Sequence, residues 1–266
     1  MKDILGTIGK ATQLRIDQLK GELSLSDLKK QCAEHTREIH DLRQSFADPN
    51  RVSVIAEFKR ASPSKGDIAP DLNHIDVAGD YLKNGAAALS ILTEPNYFRG
   101  DLQFIRDIRS KYPESRILMK DFFVDSYQLY QALNAGADAI LIIVGLLGRE
   151  GSSAMLEEAK SLGLSTLMEV HDEKELDIAL DLKPDLLGVN NRDLRDLSIS
   201  LDTSRSLSKK IPAEQISISE SGIASFEDIK DLQSYGYNGF LVGTSLMKTG
   251  EPGQALDRLM RKDHED

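Results

Sequence analysis

Six short apolar runs in this chain end in charged, amide or hydroxyl side chains, among them the lysines and carboxylates that can transfer protons. Val52–Glu57 continues into Phe58, Lys59 and Arg60, so a carboxylate and an ammonium stand two residues apart. On a strand that spacing puts Glu57 and Lys59 on one side, provided the strand continues that far. Arg116–Phe122 carries Lys120 and Asp121, and Ser165–Val170 carries Glu169 with His171 just beyond it. Leu186–Asn190 runs into Asn191, Arg192 and Asp193, where Asn190 and Arg192 share a parity. Gln215–Ser219 is followed by Glu220, Ser221 and Gly222, and Gly239–Val242 by Gly243, Thr244 and Ser245. One polar strand end is ordinary, but six brought to one place form a constellation whose burial without use would be costly.

The last two of these ends suit an anion. Ser221-Gly222-Ile223 and Gly243-Thr244-Ser245 combine glycine, which lets a ligand approach the backbone, with a hydroxyl donor at Thr244. In parallel barrels the loops after strands 7 and 8 bind phosphate in this way. Other residues read more plainly. Asn191 and Asp193 suit a turn, and Glu220 has the opposite parity to Ser219 and Ser221, so it pairs with a neighbour or enters a site only by a local twist. The histidines (His35, His40, His74, His171 and His264) show no ligand spacing and no nucleophile context, so none is read as a metal ligand or triad member.

The elements that must position these residues alternate from about Val52 onward. Eight apolar runs (the six above with Ala86–Leu92 and Ala137–Val144) are each followed by a longer stretch with apolar spacings of three and four, such as Ala154, Leu156, Ala159 and Leu162. Gly136 and Gly163 fall where two of these stretches should end as helices. Eight strand–helix units predict an α/β fold, a closed (β/α)8 TIM barrel, with a doubly wound open sheet as the alternative. No linker divides the chain, which predicts a single barrel domain over residues 1–266. Residues 1–50 lie outside the repeat and form a helical extension packed on the barrel. Its helices are predicted over Ile4–Leu23 and Leu25–Phe46, with Ser24, Ser26 and Asp27 offering caps. This extension either covers one mouth of the barrel or docks as an appendage.

Bulk properties narrow the partners. A net charge of -10 argues against nucleic acid, whose phosphates need a basic face, but not against a small phosphorylated substrate. The longest apolar runs, such as Ala139–Leu147, are about half of the ~20 residues a membrane helix needs, so no membrane is expected. The start of the chain lacks the apolar core of a signal peptide, and one cysteine, Cys32, suits a reducing cytoplasm. Cys32 is given no catalytic role. A monomer or weak homo-oligomer is expected. The residues alone leave open an aldolase using Lys120 as a Schiff base, an isomerase of an aminoribose phosphate, and a non-catalytic phosphate-binding barrel.

The ordered motifs resemble one family. Ile55-Ala-Glu57-Phe-Lys59-Arg60-Ala-Ser62-Pro-Ser64-Lys65-Gly66 resembles the characteristic first-strand segment of indole-3-glycerol phosphate synthases. Leu92-Thr93-Glu94, Tyr97-Phe98-Arg-Gly100, Met119-Lys120-Asp121-Phe122, Met168-Glu169-Val170-His171-Asp172, Gly188-Val-Asn190-Asn191-Arg192-Asp193-Leu194, Ser219-Glu220-Ser221-Gly222-Ile223 and Val242-Gly243-Thr244-Ser245 follow in the family's order. The resemblance runs from the pre-barrel helices to the last strand and is to the monofunctional form. It implies a carboxy-lyase of tryptophan biosynthesis that needs neither cofactor nor metal. Its substrate would be 1-(2-carboxyphenylamino)-1-deoxyribulose 5-phosphate, converted to indole-3-glycerol phosphate by ring closure with loss of CO2 and water. It also implies catalytic roles for Glu57, Lys59, Lys120, Glu169, Asn190 and Arg192, with Glu220 and Ser221 lining the site. Phosphate would sit on Lys59, Gly222, Gly243 and Thr244 near Ser62, and the anthranilate ring between Phe98, Phe122 and Leu141. Under that resemblance Lys120 suits the acid at the ketone and Glu169 the base for dehydration. Lys59 would share the acid work, Asn190 would hold substrate hydroxyls or orient Glu169, and Glu57 would steady the lysines. Asp67 and Pro95-Asn96 depart from the family pattern only in loops.

Overall fold

Strands buried on both faces should be largely apolar rather than alternating, and most of the eight runs are; Ser217–Glu220 is the exception, with three polar residues of four. The eight form β1 (Val54–Phe58), β2 (Ala88–Leu92), β3 (Ile117–Lys120), β4 (Ala139–Ile143), β5 (Ser165–Val170), β6 (Leu186–Asn190), β7 (Ser217–Glu220) and β8 (Gly239–Val242). In the computed structural model, which describes residues 4–34, 37–48, 51–193 and 197–261, only Lys120 among these strand residues is more than marginally exposed. Each strand pairs in parallel with the next, and β8 returns to β1 with Val54 opposite Phe240 and Ile55 opposite Leu241. The sheet is therefore a closed barrel, and the open-sheet alternative falls. His35, Leu194 and His264 lie outside the described residues.

Helices separate the strands: α3 (His74–Lys83), α4 (Leu102–Lys111), α5 (Tyr127–Ala135), α6 (Val144–Ser161), α7 (Glu173–Leu182), α8 (Asp202–Leu207), α9 (Phe226–Ser234) and α10 (Pro252–Met260), preceded by α1 (Ile4–Glu22) and α2 (Leu25–Ala33). Local chemistry sets their ends. Asn73 caps α3 through Ile75 and Asp76 N–H, Ser225 and Asp228 form a capping box on α9, and Gly136 closes α5 at φ 97°. The buried stripe of α6 is Ser152, Met155, Leu156 and Ala159, so Ala154 faces solvent instead of the core.

The extension departs from the sequence expectation. Ser24 does cap α2, accepting from Asp27 N–H at 3.2 Å. However, α2 ends at Ala33 and Leu42–Phe46 is a separate 3-10 turn, so one helix over Leu25–Phe46 is incorrect. The reason is tertiary. The backbone N–H of His40 donates to Asp138 at 3.1 Å and that of Leu42 to Ser165 Oγ at 3.1 Å, bonds that a helix would have used internally. Leu42 and Phe46 then join the main core beneath the N-terminal strand ends. At the opposite end α1 packs Ile16 with Leu28, Cys32, Tyr127 and Tyr130, and Arg15 grips both oxygens of Asp121 at 2.9 Å. The extension thus touches both ends of the barrel.

Asp138 holds the lower junction. It is fully buried and accepts from Arg37 Nη1 at 2.7 Å, from Arg109 Nη2 and from the N–H of Ile117 at 2.9 Å. Removing its charge leaves two guanidinium groups without their shared anion. Asp138→Asn is expected to cost about 3–5 kcal/mol, seen as a lowered urea midpoint; an unchanged midpoint would refute this account of the junction.

Candidate active site

The C-terminal strand ends converge on one cavity, and every residue singled out from the sequence lines it: Glu57, Lys59, Ser62, Phe98, Lys120, Phe122, Leu141, Glu169, Asn190, Arg192, Glu220, Ser221, Gly222, Gly243 and Thr244. Ile4, Leu5 and Ile8 of α1 line it too. Sequence reading left open whether the extension covered a mouth, and nothing local in those aliphatic residues marks them as site residues.

At its centre Lys120 Nζ lies 2.8 Å from Glu169 Oε2 and 3.0 Å from Glu220 Oε2. Burial alone would strip the proton from this ammonium, but Glu169, Glu220 and Glu57 outweigh burial and hold its pKa above the usual value. Burial likewise opposes the charge on Glu169, yet Lys120 and His171 keep that carboxylate well below the usual range. Glu220 goes the other way. Burial, reinforced by the neighbouring Glu169 and opposed by Lys120, pushes it up to about 8. The trio therefore sets an ammonium against an ionised Glu169, with Glu220 the more easily protonated carboxyl of the two, an arrangement suited to proton transfer.

Glu220 needs no twist to reach this position. Its parity is that of Ile218, whereas Ser219 is turned outward to Ser204 on α8, 2.8 Å away. Room for the Glu220 carboxylate comes from Gly188 on β6, where a methyl group would stand 2.2 Å from Oε1. Asn191 is more than a turn former. Its amide nitrogen lies 3.0 Å from both Ser219 Oγ and the Glu220 carbonyl, and 3.1 Å from that of Ser221. It ties the β6 loop to a turn in which Ser221 takes φ 67° and Gly222 φ 83°. A left-handed serine is uncommon, and this one sits on the rim of the cavity.

On the far side Lys59 Nζ lies 2.7 Å from Glu57 Oε1, while Ser90 Oγ donates to Glu57 Oε2 at 3.4 Å. A methyl group at Gly243 would come within 2.5 Å of Glu57 Oε1, so a side chain here would displace the carboxylate from its present place. Ser245 Oγ donates to the Ile223 carbonyl at 2.9 Å and fastens the two glycine loops to each other. Phe98 and Phe122 have ring centroids 5.9 Å apart at 37°, and the buried Leu141 lines the same cavity. Arg192 Nη1 bridges Ser64 Oγ at 3.3 Å and the Leu197 carbonyl at 3.1 Å, joining the loops after β1 and β6. Asn190 Oδ1 accepts from the Arg192 N–H at 3.0 Å. The polar contacts of Glu169 are instead Lys120 and His171 Nε2, the latter 3.2 Å from Oε1. His171 had no ligand or triad context in the sequence, although it stands two residues from Glu169, the spacing that puts Glu57 and Lys59 on one side. Among the described residues no group of three or more His, Cys, Asp or Glu could hold a metal ion.

Fold and site together define a (β/α)8-barrel enzyme, with acid–base groups and glycine loops on one cavity at the C-terminal rim. Solved barrels of low identity share the fold. A chain of the tryptophan synthase a2b2 complex of Pyrococcus furiosus superposes with TM-score 0.59 at 16% identity, covering 78% of this chain and 97% of that one. The 3-hexulose-6-phosphate synthase of Salmonella typhimurium gives 0.60 at 15%, covering 77% and 98%. The chain belongs to the indole-3-glycerol phosphate synthase family, whose profile matches residues 5–259. The indole-3-glycerol phosphate synthase of Chromobacterium violaceum is 46% identical over 209 residues, 79% of this chain and 78% of the relative. That of Alkaliphilus metalliredigens is 38% identical over 256 residues, 96% and 97% of the two chains.

Proposed function

We propose that this chain carries out the reaction of its family as a single barrel domain with its helical extension. It converts 1-(2-carboxyphenylamino)-1-deoxyribulose 5-phosphate to indole-3-glycerol phosphate, CO2 and water, a carboxy-lyase step of tryptophan biosynthesis. The observation that carries the division of roles is the Lys120 ammonium between the Glu169 and Glu220 carboxylates. The phosphate sits on the backbone of Gly222 and Gly243 with Thr244 and Lys59, near Ser62, and the anthranilate ring between Phe98, Phe122 and Leu141. This seats the two carbons to be joined against one another, which supplies much of the rate. As the ring carbon that bears the carboxylate attacks the ketone carbon, negative charge grows on the ketone oxygen and Lys120 protonates it. The resulting cationic ring nitrogen accepts the electron pair released when CO2 departs, with Glu57 stabilising that cation. Glu169 then takes a proton from the new ring while Lys59 protonates the departing hydroxyl, which leaves as water. Asn190 and Arg192 hold the substrate's hydroxyls and the loops around them, and Glu220 and Ser221 line the site, Glu220 holding the protonated Lys120.

No cofactor enters this scheme. Cytoplasmic residence belongs to the same reading, supported by the single cysteine, as does a monomeric or weakly associated state. The net charge of -10 supports the absence of a nucleic-acid partner. No helix among the described residues is long and apolar enough to cross a membrane. The direct test mixes the purified protein with the substrate and follows indole fluorescence. The expected result is a rise that persists in EDTA, and no rise under any buffer condition would overturn the assignment.

A further inference from the structure

The imidazole beside Glu169 has no task in the active-site reading. His171 follows β5 by one residue and stands between two carboxylates from different elements. Its Nε2 lies 3.2 Å from Glu169 Oε1, and its Nδ1 lies 3.0 Å from Glu175 Oε2 on α7. The side chain is 13% exposed, against 3% for Glu169 and 20% for Glu175. Glu175 is itself held in place. Its Oε2 also accepts from the His171 backbone N–H at 2.9 Å, and its Oε1 lies so close to Gly145 of α6 that a methyl there would be 2.6 Å away. The ring's Nδ1 is hydrogen-bonded to Glu175, whereas the Nε2 contact with Glu169 is an ion-pair distance without hydrogen-bond alignment. A neutral ring, having one donor, would turn a lone pair toward one of the two carboxylates, so the imidazolium is the form that suits both.

We propose that His171 is a positioning residue, an imidazolium that Glu175 keeps charged and that holds Glu169 ionised and aimed into the cavity. This inference rests on the reading of Glu169 as the base. Two cations then secure that base from opposite oxygens. Lys120 lies on Oε2, shared with Glu220 and engaged in the reaction, while His171 lies on Oε1 and takes no proton from the substrate. When Lys120 gives up its proton, the charge that kept Glu169 anionic on that side disappears, and His171 preserves the base through that interval. The charged groups acting on His171 are Glu169 from β5 and Glu175 from α7, with Lys120 of β3 and Glu220 of β7 one carboxylate further on. Burial works against its charge, but the two contacting carboxylates raise it to about 10. The N-terminal turn of α7 opposes the cation, and Glu175 within that turn offsets it.

The sign of the expected pH effect follows. Glu169 must be ionised to act, and a cation at Oε1 lowers its pKa. Losing the cation raises that pKa and moves the acid limb of kcat to higher pH. His171→Gln should displace the limb upward by about one pH unit or more with KM little changed. Glu175→Gln should move it the same way by less. In the wild-type protein, 15N NMR of the histidine ring nitrogens should show His171 doubly protonated at about pH 8, where a free histidine is neutral. Its signal is the one lost in His171→Gln or perturbed in Glu175→Gln. A neutral tautomer at that pH overturns the proposal, and so does a His171→Gln acid limb coincident with wild type. If His171→Gln fails to fold, Glu175→Gln and the wild-type spectrum decide. Near-normal turnover of Glu169→Gln would sink the base assignment itself. An inactive Glu169→Gln with an unmoved limb in the histidine variant would sink only the role given to His171.

Discussion

Lys120→Ala should lower kcat by about 10²-fold or more, the range for a lost general acid, while the substrate still binds. The effect is large because two functions vanish together. The ketone oxygen loses its proton donor, and Glu169 and Glu220 lose the ammonium they share at 2.8 and 3.0 Å. Two buried carboxylates without a cation between them cannot both remain ionised, so a proton enters the pair and the base is compromised as well. Turnover is measured by indole fluorescence at saturating substrate, with thermal unfolding as a control for folding. A near-normal kcat would show that the acid has been assigned to the wrong lysine. A companion measurement addresses the aldolase alternative. Borohydride added to wild-type enzyme and substrate should leave no adduct on Lys120, because an ammonium serving as an acid forms no imine. A stable adduct there would overturn the acid role.

Glu169→Gln should reduce turnover by a similar factor of about 10² or more, for a narrower reason. The amide has nearly the same shape but cannot accept the ring proton. Lys120 keeps Glu220, so the first acid survives. The loss should therefore fall on dehydration, and CO2 release followed in a single turnover should outpace the appearance of indole fluorescence. If both fall together by the same factor, Glu169 acts before decarboxylation and the order of roles proposed here is incorrect. KM should change little, since the phosphate loops at Gly222 and Gly243 and the aromatic pair Phe98 and Phe122 are untouched.

Much of this was legible in the linear chain because it depends on local periodicity. Apolar runs of strand length, stretches with spacings of three and four, and glycines at helix ends are properties of a few consecutive residues, and they led to eight units and a barrel. The polar residues at the ends of those runs were legible for the same reason, since a barrel gathers its strand ends on one rim. Where the reading failed, long-range contacts overrode local signals. The helix expected over Leu25–Phe46 stops at Ala33, and the chain beyond it gives its N–H groups to Asp138 and Ser165, about a hundred or more residues away in sequence. His171 is the opposite case: its partners Glu169 and Glu175 lie two and four residues away, a spacing legible in the chain but carrying no ligand or triad signal.

The sequence by itself determined which side chains are present and which strand end carries each. The tertiary structure alone decided which of them share a proton. Lys120 meets Glu169 across 49 residues and Glu220 across 100, and those meetings exist only because the barrel closes and Gly188 leaves space for a carboxylate inside it. Proton affinity depends on distance and burial, which no stretch of neighbouring residues encodes, so the division into acid, base and partner carboxyl is a property of the folded ring.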